Sequence, residues 1–413
     1  MSRYVVRTYK VPVPLELYPL CSELNKTAAR IYNKTMSLVK KIKRKKGFWL
    51  SQNTVQKYIL RWADNIDIHT HSKQAILQEY FQALDSYFSA VKSKPDLRPP
   101  HKKKRFPPFI WKNTAIKLIP DGKLKLSMGR KQQPIIIQTS LPAGTIIRQA
   151  KLVYENGKYY LHLGIEVKIE EENRQPKTKV MSIDLGIIHP ITCFDGSETI
   201  IYRGGILNSV LRCRNKKLAE FQKLLNRCKK GSKRYRKLSK AKKRMLTGTQ
   251  NQIRDMLHKI TSNFVGLCIQ KSVGTIVVGD ITNIRDGANG NDNYNQKLHQ
   301  WQYRKIVNMI TDKSKLHGIK VVSISEAYTS KRCPVCGSRN HPNNRNCKCQ
   351  NCGFEYHRDG VGAINIYARY PGKKSQVVVK LAPARGVRFN PHLCGHGVSV
   401  SPSLGDWECQ IIN

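Results

Sequence analysis

Four cysteines form two Cys-x-x-Cys pairs, Cys333/Cys336 and Cys349/Cys352, with twelve residues between the pairs. This spacing is typical of a zinc ribbon, in which each turn directs two thiolates at one tetrahedral ion. Glycine follows the second cysteine of each pair and permits the tight turn that the motif needs. Because four sulfurs leave no open coordination position, we predict a structural Zn(II) ion, not a catalytic one. The remaining cysteines of the twelve, including Cys347 inside the ribbon, are scattered. This is typical of a reducing compartment without a disulfide framework.

Two aspartates stand where a β-sheet could bring them to one edge. Asp184 lies at the end of the strand predicted within VMSIDLG (180–186). Asp359 lies at the start of the helix predicted within HRDGVGAINIYAR (357–369). Clustered carboxylates can hold two divalent cations, which cut phosphodiesters by in-line displacement. Hard oxygen ligands of this kind favour Mg(II) or Mn(II). A strand-terminal aspartate is also common as a cap or turn residue, so the pattern alone leaves both interpretations open.

The charge of the chain indicates nucleic acid as a partner. Its 413 residues include 74 Lys and Arg against 27 Asp and Glu, a formal net charge of +47. A folded protein with this excess repels itself unless a polyanion neutralises it, and nucleic acid fits that role. The sequence has no run of about 18 apolar residues and no apolar signal core. We therefore expect a soluble, intracellular protein without a membrane partner.

Two basic segments are the candidate nucleic-acid contacts. One lies in RPPHKKKRFPP (98–108), where prolines and a charge run indicate a boundary. The other lies on the outer faces of two long helices predicted within 207–270. A solvated surface would explain such runs, and given the total charge of the chain, phosphate contacts explain them equally well. The residues assigned this role are Lys102, Lys103, Lys104, Arg105, Lys229, Lys230, Lys233 and Arg234.

Hydrophobic periodicity predicts the elements around these residues. A short strand at 3–10 precedes helices over about 15–95, and strands separated by turn signals fill 114–169. Residues 170–179 are expected to form a linker. An α/β segment follows, in which strands end at Asp184 and Asp280, a helix is expected around Trp301–Leu316, and another strand covers 320–325.

The stretches SIDLGI, VVGDI, YTSKRCPVCG and CQNCGFEYHRD with GAINI, in this order, resemble the TnpB family, relatives of type V CRISPR effectors and Fanzor. The matching motifs span about residues 180–370, and the N-terminal half is similar only in layout. The resemblance implies a RuvC-type nuclease guided by an RNA made from the transposon end, which acts on double-stranded DNA beside a short flanking motif. It also implies that Asp184 and Asp359 are the first and last catalytic acids. Mobility itself would then be catalysed by a separate transposase.

One position departs from the family pattern. The family usually has a glutamate at the end of the middle strand, where this chain has Gly279. Asp280 is adjacent, but neighbouring strand residues point to opposite faces. Glu326 follows the next strand, whose end would lie about 4.8 Å away at the same sheet edge. We predict catalytic, magnesium-binding roles for Asp184, Glu326 and Asp359, with Asp280 as the alternative third acid. An inactivated site is the remaining interpretation.

The predicted architecture is α/β: an RNase H-like (RuvC) nuclease domain with an inserted zinc ribbon, and an N-terminal wedge-like β-barrel interrupted by a helical recognition lobe. The predicted segments are the wedge (1–10 and 101–176), the recognition lobe (11–100), the nuclease (177–332 and 353–370), the ribbon (333–352) and a C-terminal tail (371–413).

The predicted function is RNA-guided DNA cleavage in the cytoplasm of a prokaryote, at the nucleoid. Two alternatives stay open. A nuclease-inactive, RNA-guided repressor would be marked by lost acids, and the missing middle glutamate is an ambiguous sign. A protein-only transposase would carry its own sequence-reading domain, such as a helix-turn-helix, and the sequence shows none.

Overall fold

A computed structural model describes residues 4–103, 106–169, 178–282, 284–285, 290–327, 329–340, 345–371 and 384–388. The chain divides into two compact units, the first ending at Lys168 and the second beginning at Ile169. The expected linker falls at this boundary, although residues 170–177 lie outside the described residues and Lys179 already begins a strand.

The first unit combines helices with antiparallel sheets. Its described elements are β1 (Tyr4–Pro12), α1 (Tyr18–Lys46), α2 (Gln52–Trp62), α3 (Thr70–Val91), β2 (Phe109–Lys112), β3 (Ile116–Ile119), β4 (Lys123–Leu126), β5 (Ile135–Gln138), β6 (Ile147–Glu155) and β7 (Lys158–Lys168). The strands form one sheet in the order β1-β7-β6-β2 and another in the order β3-β4-β5. The short strand β2 was not expected from the sequence.

One hydrophobic core joins the helices and strands of the first unit. Ile31 of α1 and Leu77 of α3 are buried in the same cluster as Trp111, Leu124 and Leu161 of the sheets. Burying a large apolar side chain contributes roughly 1.5–3 kcal/mol, so this shared core binds the segments together. The segments predicted to be the recognition lobe and the wedge therefore lie in a single compact unit.

The second unit is built on a mixed six-stranded sheet in the order β12-β11-β8-β9-β10-β15. Its described elements are β8 (Lys179–Asp184), β9 (Ile191–Phe194), β10 (Thr199–Arg203), α4 (Gly205–Asn226), α5 (Lys233–Gln270), β11 (Val273–Asp280), α6 (Asp292–Gln300), α7 (Tyr303–Leu316), β12 (Lys320–Ser325), β13 (Asn346–Lys348), β14 (Glu355–His357), α8 (Arg358–Arg369) and β15 (Arg385–Arg388).

Strands β8, β11 and β12 are parallel neighbours, so their carboxyl ends lie at one sheet edge. Alternate residues of these strands are buried against different helices. Met181 of β8 and Ile276 of β11 belong to the core that contains Phe264 of α5. Val180 and Val277, one position along each strand, belong instead to the cluster of Ile366 on α8. Both faces are covered, which explains the almost continuously apolar sequence of these strands.

Two expectations for the second unit need correction. Residues Arg385–Arg388, assigned to a tail, form a strand parallel to β10, because pairing with a sheet edge needs no strong local pattern. The helix expected at Trp301–Leu316 begins at Tyr303, and a separate helix, α6, precedes it. None of the helices in the described ranges combines the length and apolarity needed to cross a membrane.

Candidate functional site

Helix α8 brings two of the predicted acids together. Asp184 ends β8, and Asp359 lies in the first turn of α8. The buried hydroxyl of Ser182 donates to the Ala363 carbonyl at 2.7 Å, which fixes this strand against the helix. A Cβ at Gly362 would lie 2.3 Å from Asp184 Oδ2. The carboxylate of Asp184 therefore lies directly against the helix backbone, where only glycine leaves room for it.

Glu326 reaches the same face of the sheet from the segment after β12. Its side chain fills the space beside Gly279, where an added Cβ would lie 2.3 Å from Glu326 Oε2 and 2.9 Å from Ile366 Cδ1. Gly279 is opposite Ile324 in the parallel register of β11 and β12, so Glu326 lies two residues beyond that pairing. The side chain of Glu326, which follows β12, thus occupies the volume that a side chain at position 279 of β11 would need.

Asp280, the alternative third acid, faces elsewhere. It is exposed and has the same parity along β11 as Ile276 and Val278, which face α5. Its Oδ1 accepts hydrogen bonds from the backbone N–H of Thr282 at 2.8 Å and from the Thr282 hydroxyl at 2.5 Å. These bonds lower the pKa of the Asp280 carboxyl. Asp280 therefore has the geometry of a turn residue.

The charges at the shared face favour a cation. Burial raises the pKa of Asp184 well above its ordinary value, and the carboxylates of Glu326 and Asp359 raise it further. Burial, followed by the charge of Asp280, raises the pKa of Glu326 to about 7. Glu326 Oε2 is buried and has no hydrogen-bond partner among the described residues. Carboxylates that repel each other, one of them with an unpaired oxygen, fit Mg(II) or Mn(II), since a bound divalent cation reverses this repulsion.

Two residues of α8 hold the segment that carries Glu326. Arg369 donates from Nη1 to the Ser325 carbonyl at 2.8 Å and from Nη2 to the Ala327 carbonyl at 2.6 Å. Asn365, one helical turn earlier, donates to the carbonyls of Thr329 at 2.6 Å and Arg332 at 2.7 Å. The carbonyls on both sides of Glu326 are therefore tied to the helix that also carries Asp359.

Two histidines beside Asp359 were not predicted from the sequence. His189 Nδ1 lies 4.0 Å from Asp359 Oδ2, and His357 Nδ1 accepts from the Asp359 backbone N–H at 3.3 Å. The ligand atoms of these three residues lie within 4.8 Å of one another, close enough to hold a metal ion. Arg345 pairs with the same Asp359 oxygen at 3.0 Å. The only local signals were the proximity of His357 to Asp359 and of His189 to Asp184 in the sequence.

The four predicted cysteines converge on one point. Their sulfurs lie within 4.8 Å of one another, and the Cys333–Cys352 and Cys336–Cys349 Sγ pairs are 3.6 and 3.5 Å apart. Tetrahedral zinc with Zn–S bonds near 2.3 Å requires sulfurs about 3.8 Å apart, so the cluster fits this ion.

The two Cys-x-x-Cys turns have the same backbone geometry. Gly337 N donates to the Cys333 carbonyl and Gly353 N to the Cys349 carbonyl, both at 3.0 Å. The φ angles of these glycines are 74° and 72°, in the left-handed region that glycine adopts easily. Cys347 lies on β13, outside the cluster.

The predicted basic contacts are exposed wherever they are described. Lys102 and Lys103 precede the undescribed Lys104 and Arg105. Asn33 holds the backbone of Lys103 through two hydrogen bonds of 2.9 Å. In the second unit, four exposed basic residues surround the turn from α4 to α5: Lys229, Lys230, Lys233 and Arg234.

Two family models and a solved structure match this chain. A model of the Probable transposase family (OrfB_IS605) matches residues 164–285, and a model of the Cas12f1-like TNB domain matches residues 303–366. The solved structure of a Cas12f1–sgRNA–target DNA complex has a TM-score of 0.63 and 16% identity. The similarity covers 86% of this chain and 83% of that one. The chain thus has the α/β fold of Cas12f1.

Curated relatives add sequence evidence. TnpB-like protein MJ0751 of Methanocaldococcus jannaschii is 34% identical over 31% of this chain and 45% of its own length. The putative transposase MJ0856.1 of the same organism is 32% identical over 18% of this chain and 78% of its own length. The CRISPR-associated endodeoxyribonuclease Cas12f1 of Syntrophomonas palmitatica is 27% identical over 48% of this chain. The match covers 40% of that relative, so this chain spans less than half of both it and MJ0751. The chain belongs to the TnpB family.

Proposed function

We propose that this chain is an RNA-guided DNA endonuclease encoded by an insertion-sequence-type transposon. Membership of the TnpB family supports this, as do relatives whose names specify endodeoxyribonuclease activity and a similar structure solved with guide RNA and target DNA. In such systems, RNA–DNA pairing reads the sequence while the protein contacts the backbone and a short flanking motif. The net charge of +47 suits a partner with many phosphates.

The proposed catalytic site is a RuvC-type site on an RNase H-like sheet. Asp184, Glu326 and Asp359 would hold two Mg(II) or Mn(II) ions, which supply a nucleophilic hydroxide and neutralise charge at the scissile phosphate when bound. The protein's own contribution is positioning: β8 and α8 hold Asp184 and Asp359, while Arg369 and Asn365 hold the Glu326 segment. The ribbon cysteines would bind a structural Zn(II) ion, separate from this chemistry.

One observation carries the proposal for the acids. Glu326 fills the space beside Gly279 on the face that also presents Asp184 to α8. The third carboxylate would therefore reach the site from the segment after β12, through the space left open beside Gly279 of β11. Asp184 and Asp359 alone would supply only two negative charges for two divalent cations, so the third acid favours an active enzyme over a repressor.

The remaining assignments follow from the proposed activity. The guide RNA would come from the transposon end, the target would be double-stranded DNA beside a short motif, and a separate transposase would catalyse movement. The first unit would serve as the wedge and recognition lobe for these nucleic acids, through its exposed Lys102 and Lys103 and the adjoining basic residues. The protein would act in the prokaryotic cytoplasm, at the nucleoid.

Sequencing the RNA that co-purifies with the protein tests the guide. We expect one defined RNA with a variable end, and double-stranded DNA matching that end should be cut in Mg(II) and left intact without it. Tight, guide-dependent DNA binding without cleavage would instead support the repressor alternative. Strand joining without any bound RNA would support the transposase alternative.

A further inference from the structure

Glu326 follows a strand at the end of the six-stranded sheet. Its strand, β12, has β11 on one side, whereas β11 lies between β12 and β8. An acid at position 279 would be held by strands on both sides, but Glu326 lies beyond Ser325, the last paired residue of β12. The position of Glu326 therefore depends on what holds residues 326–332, the segment that leads to the first ribbon cysteine.

Thr329 ties the start of this segment to Glu326. The backbone N–H and the hydroxyl of Thr329 both donate to the Glu326 carbonyl, at 3.0 and 2.9 Å. Thr329 is 4% exposed, so these bonds are shielded from competing water. They close a turn between the two residues, and the backbone of Glu326 is therefore fixed relative to Thr329.

The other end of the segment belongs to the zinc ribbon. The backbone N–H of Asn340 donates to the Lys331 carbonyl at 2.7 Å, and that of Cys333 donates to the Ser338 carbonyl at 2.9 Å. These antiparallel bonds close a hairpin around the first Cys-x-x-Cys turn. The sulfurs of this turn lie 3.6 and 3.5 Å from those of the second pair, so a bound zinc ion would join the hairpin to the rest of the ribbon.

Asn365 of α8 connects the two ends of the segment. Its buried side-chain amide donates to the Thr329 carbonyl at 2.6 Å and to the Arg332 carbonyl at 2.7 Å. Thr329 is bonded to Glu326, and Arg332 immediately precedes Cys333. One amide group thus fixes the turn that carries the acid relative to the hairpin that carries the first ribbon cysteines.

We propose that the zinc ribbon positions Glu326 through this segment, with Thr329 as the positioning residue, so that zinc at the cysteines strengthens Mg(II) or Mn(II) binding at the acids. The acid has little room to move, since Glu326 Oε2 lies 2.3 Å from the Cβ position of Gly279. Two binding events that need the same arrangement of one segment are thermodynamically coupled. The role of Glu326 as a metal ligand rests on the proposed function, whereas the hydrogen-bonded segment does not.

Hydrogen exchange tests the coupling with no metal at the acids. The samples are the full-length parent and Cys349→Ser, which removes a zinc ligand outside the segment. We expect exchange at residues 326–333 to be about 10-fold faster in Cys349→Ser, because this segment then opens locally, while β11 (Val273–Asp280) is unchanged. Cys347→Ser is the control and should exchange like the parent. Unchanged exchange at 326–333, or an equal increase in β11, would overturn the proposal.

Direct Mn(II) binding, followed by the electron paramagnetic resonance of free Mn(II), tests the consequence. We expect Cys349→Ser to bind Mn(II) about 10-fold more weakly than the parent. In a protein with Gly279→Glu and Glu326→Gly, where β11 carries the acid, Cys349→Ser should have little effect. An equal loss in both backgrounds would overturn the proposal. Mn(II) binding that does not need Asp184 would overturn the catalytic assignment alone, because hydrogen exchange tests the segment independently.

A substitution at Thr329 tests the path without disturbing the cysteines. Thr329→Val has nearly the same shape but lacks the hydroxyl that donates to Glu326. We expect a full zinc content and about 5-fold weaker Mn(II) binding. Thr329→Ser keeps the hydroxyl and should recover most of the loss. Parent-like Mn(II) binding in Thr329→Val, or no recovery in Thr329→Ser, would overturn the role of this residue.

Discussion

The carboxylate of Glu326 occupies the space that a side chain at position 279 would need, since Glu326 Oε2 lies 2.3 Å from the Cβ position of Gly279. The glycine on β11 and the glutamate after β12 are therefore a complementary pair. Replacing either residue alone should disturb the site, while exchanging them should preserve it.

The exchange can be tested directly. We expect Gly279→Ala to slow DNA cleavage about 10-fold or more, because the added methyl group displaces the Glu326 carboxylate. Gly279→Glu combined with Glu326→Gly should recover much of the activity lost in Glu326→Gly. The measurement is single-turnover cleavage in Mg(II). Normal activity in Gly279→Ala, with no recovery in the exchanged protein, would contradict the pairing.

The three acids should behave alike in cleavage. We expect Asp184→Ala, Glu326→Ala and Asp359→Ala each to reduce cutting by more than the roughly 10- to 100-fold that loss of an outer-sphere partner causes. Guided DNA binding should remain, because metal ligands are removed and nucleic-acid contacts are not. Asp280→Asn is the control and should retain substantial activity. Full activity in Glu326→Ala with loss in Asp280→Asn would reverse the assignment.

Arg369 should act through the position of Glu326. Arg369→Gln removes the paired donation to the carbonyls of Ser325 and Ala327, and we expect about a 10-fold higher Mn(II) concentration for half-maximal cleavage. Arg369→Lys should recover part of this loss. In the exchanged protein, with glutamate at position 279, Arg369→Gln should have little effect. An equal effect in both backgrounds would mean that Arg369 stabilises the fold in general.

The ribbon should bind one zinc ion per chain. Its small hairpin has little core of its own, so metal binding supplies its folding energy. We expect Cys349→Ser to lower the zinc content and the melting temperature, and to reduce cleavage only indirectly. Cys347→Ser, outside the cluster, is the control and should keep its zinc. Less than about half a zinc per chain in protein purified without chelator would refute the assignment.

Binding to RNA should depend steeply on salt. When Z phosphates are neutralised, the logarithm of the binding constant falls with the logarithm of the salt concentration with a slope of about −0.7Z to −0.9Z. We expect a slope much steeper than −1. Joint replacement of Lys102, Lys103, Lys104 and Arg105 by Gln should weaken binding and flatten the slope without moving the cut position. The same change at Lys229, Lys230, Lys233 and Arg234 tests the second unit. A shifted cut position would mean that these residues read sequence.

The sequence by itself determined the parts of the site that depend on local spacing. Two Cys-x-x-Cys turns with following glycines are short motifs, so the convergence of the four cysteines could be predicted without a fold. Asp184 at a strand end and Asp359 at a helix start were equally visible, because hydrophobic periodicity marks both boundaries. The large positive charge likewise required no structure to indicate a polyanionic partner.

Only the tertiary structure decided where Glu326 and Asp280 point. Their difference depends on the parallel register of β11 with β12 and on α8 crossing the face that Gly279 presents, and these contacts join residues far apart in the chain. The role of Arg369 and the approach of His189 to Asp359 have the same origin. Each is formed by side chains from separate elements, whose proximity is set by packing and leaves no periodic trace in the sequence.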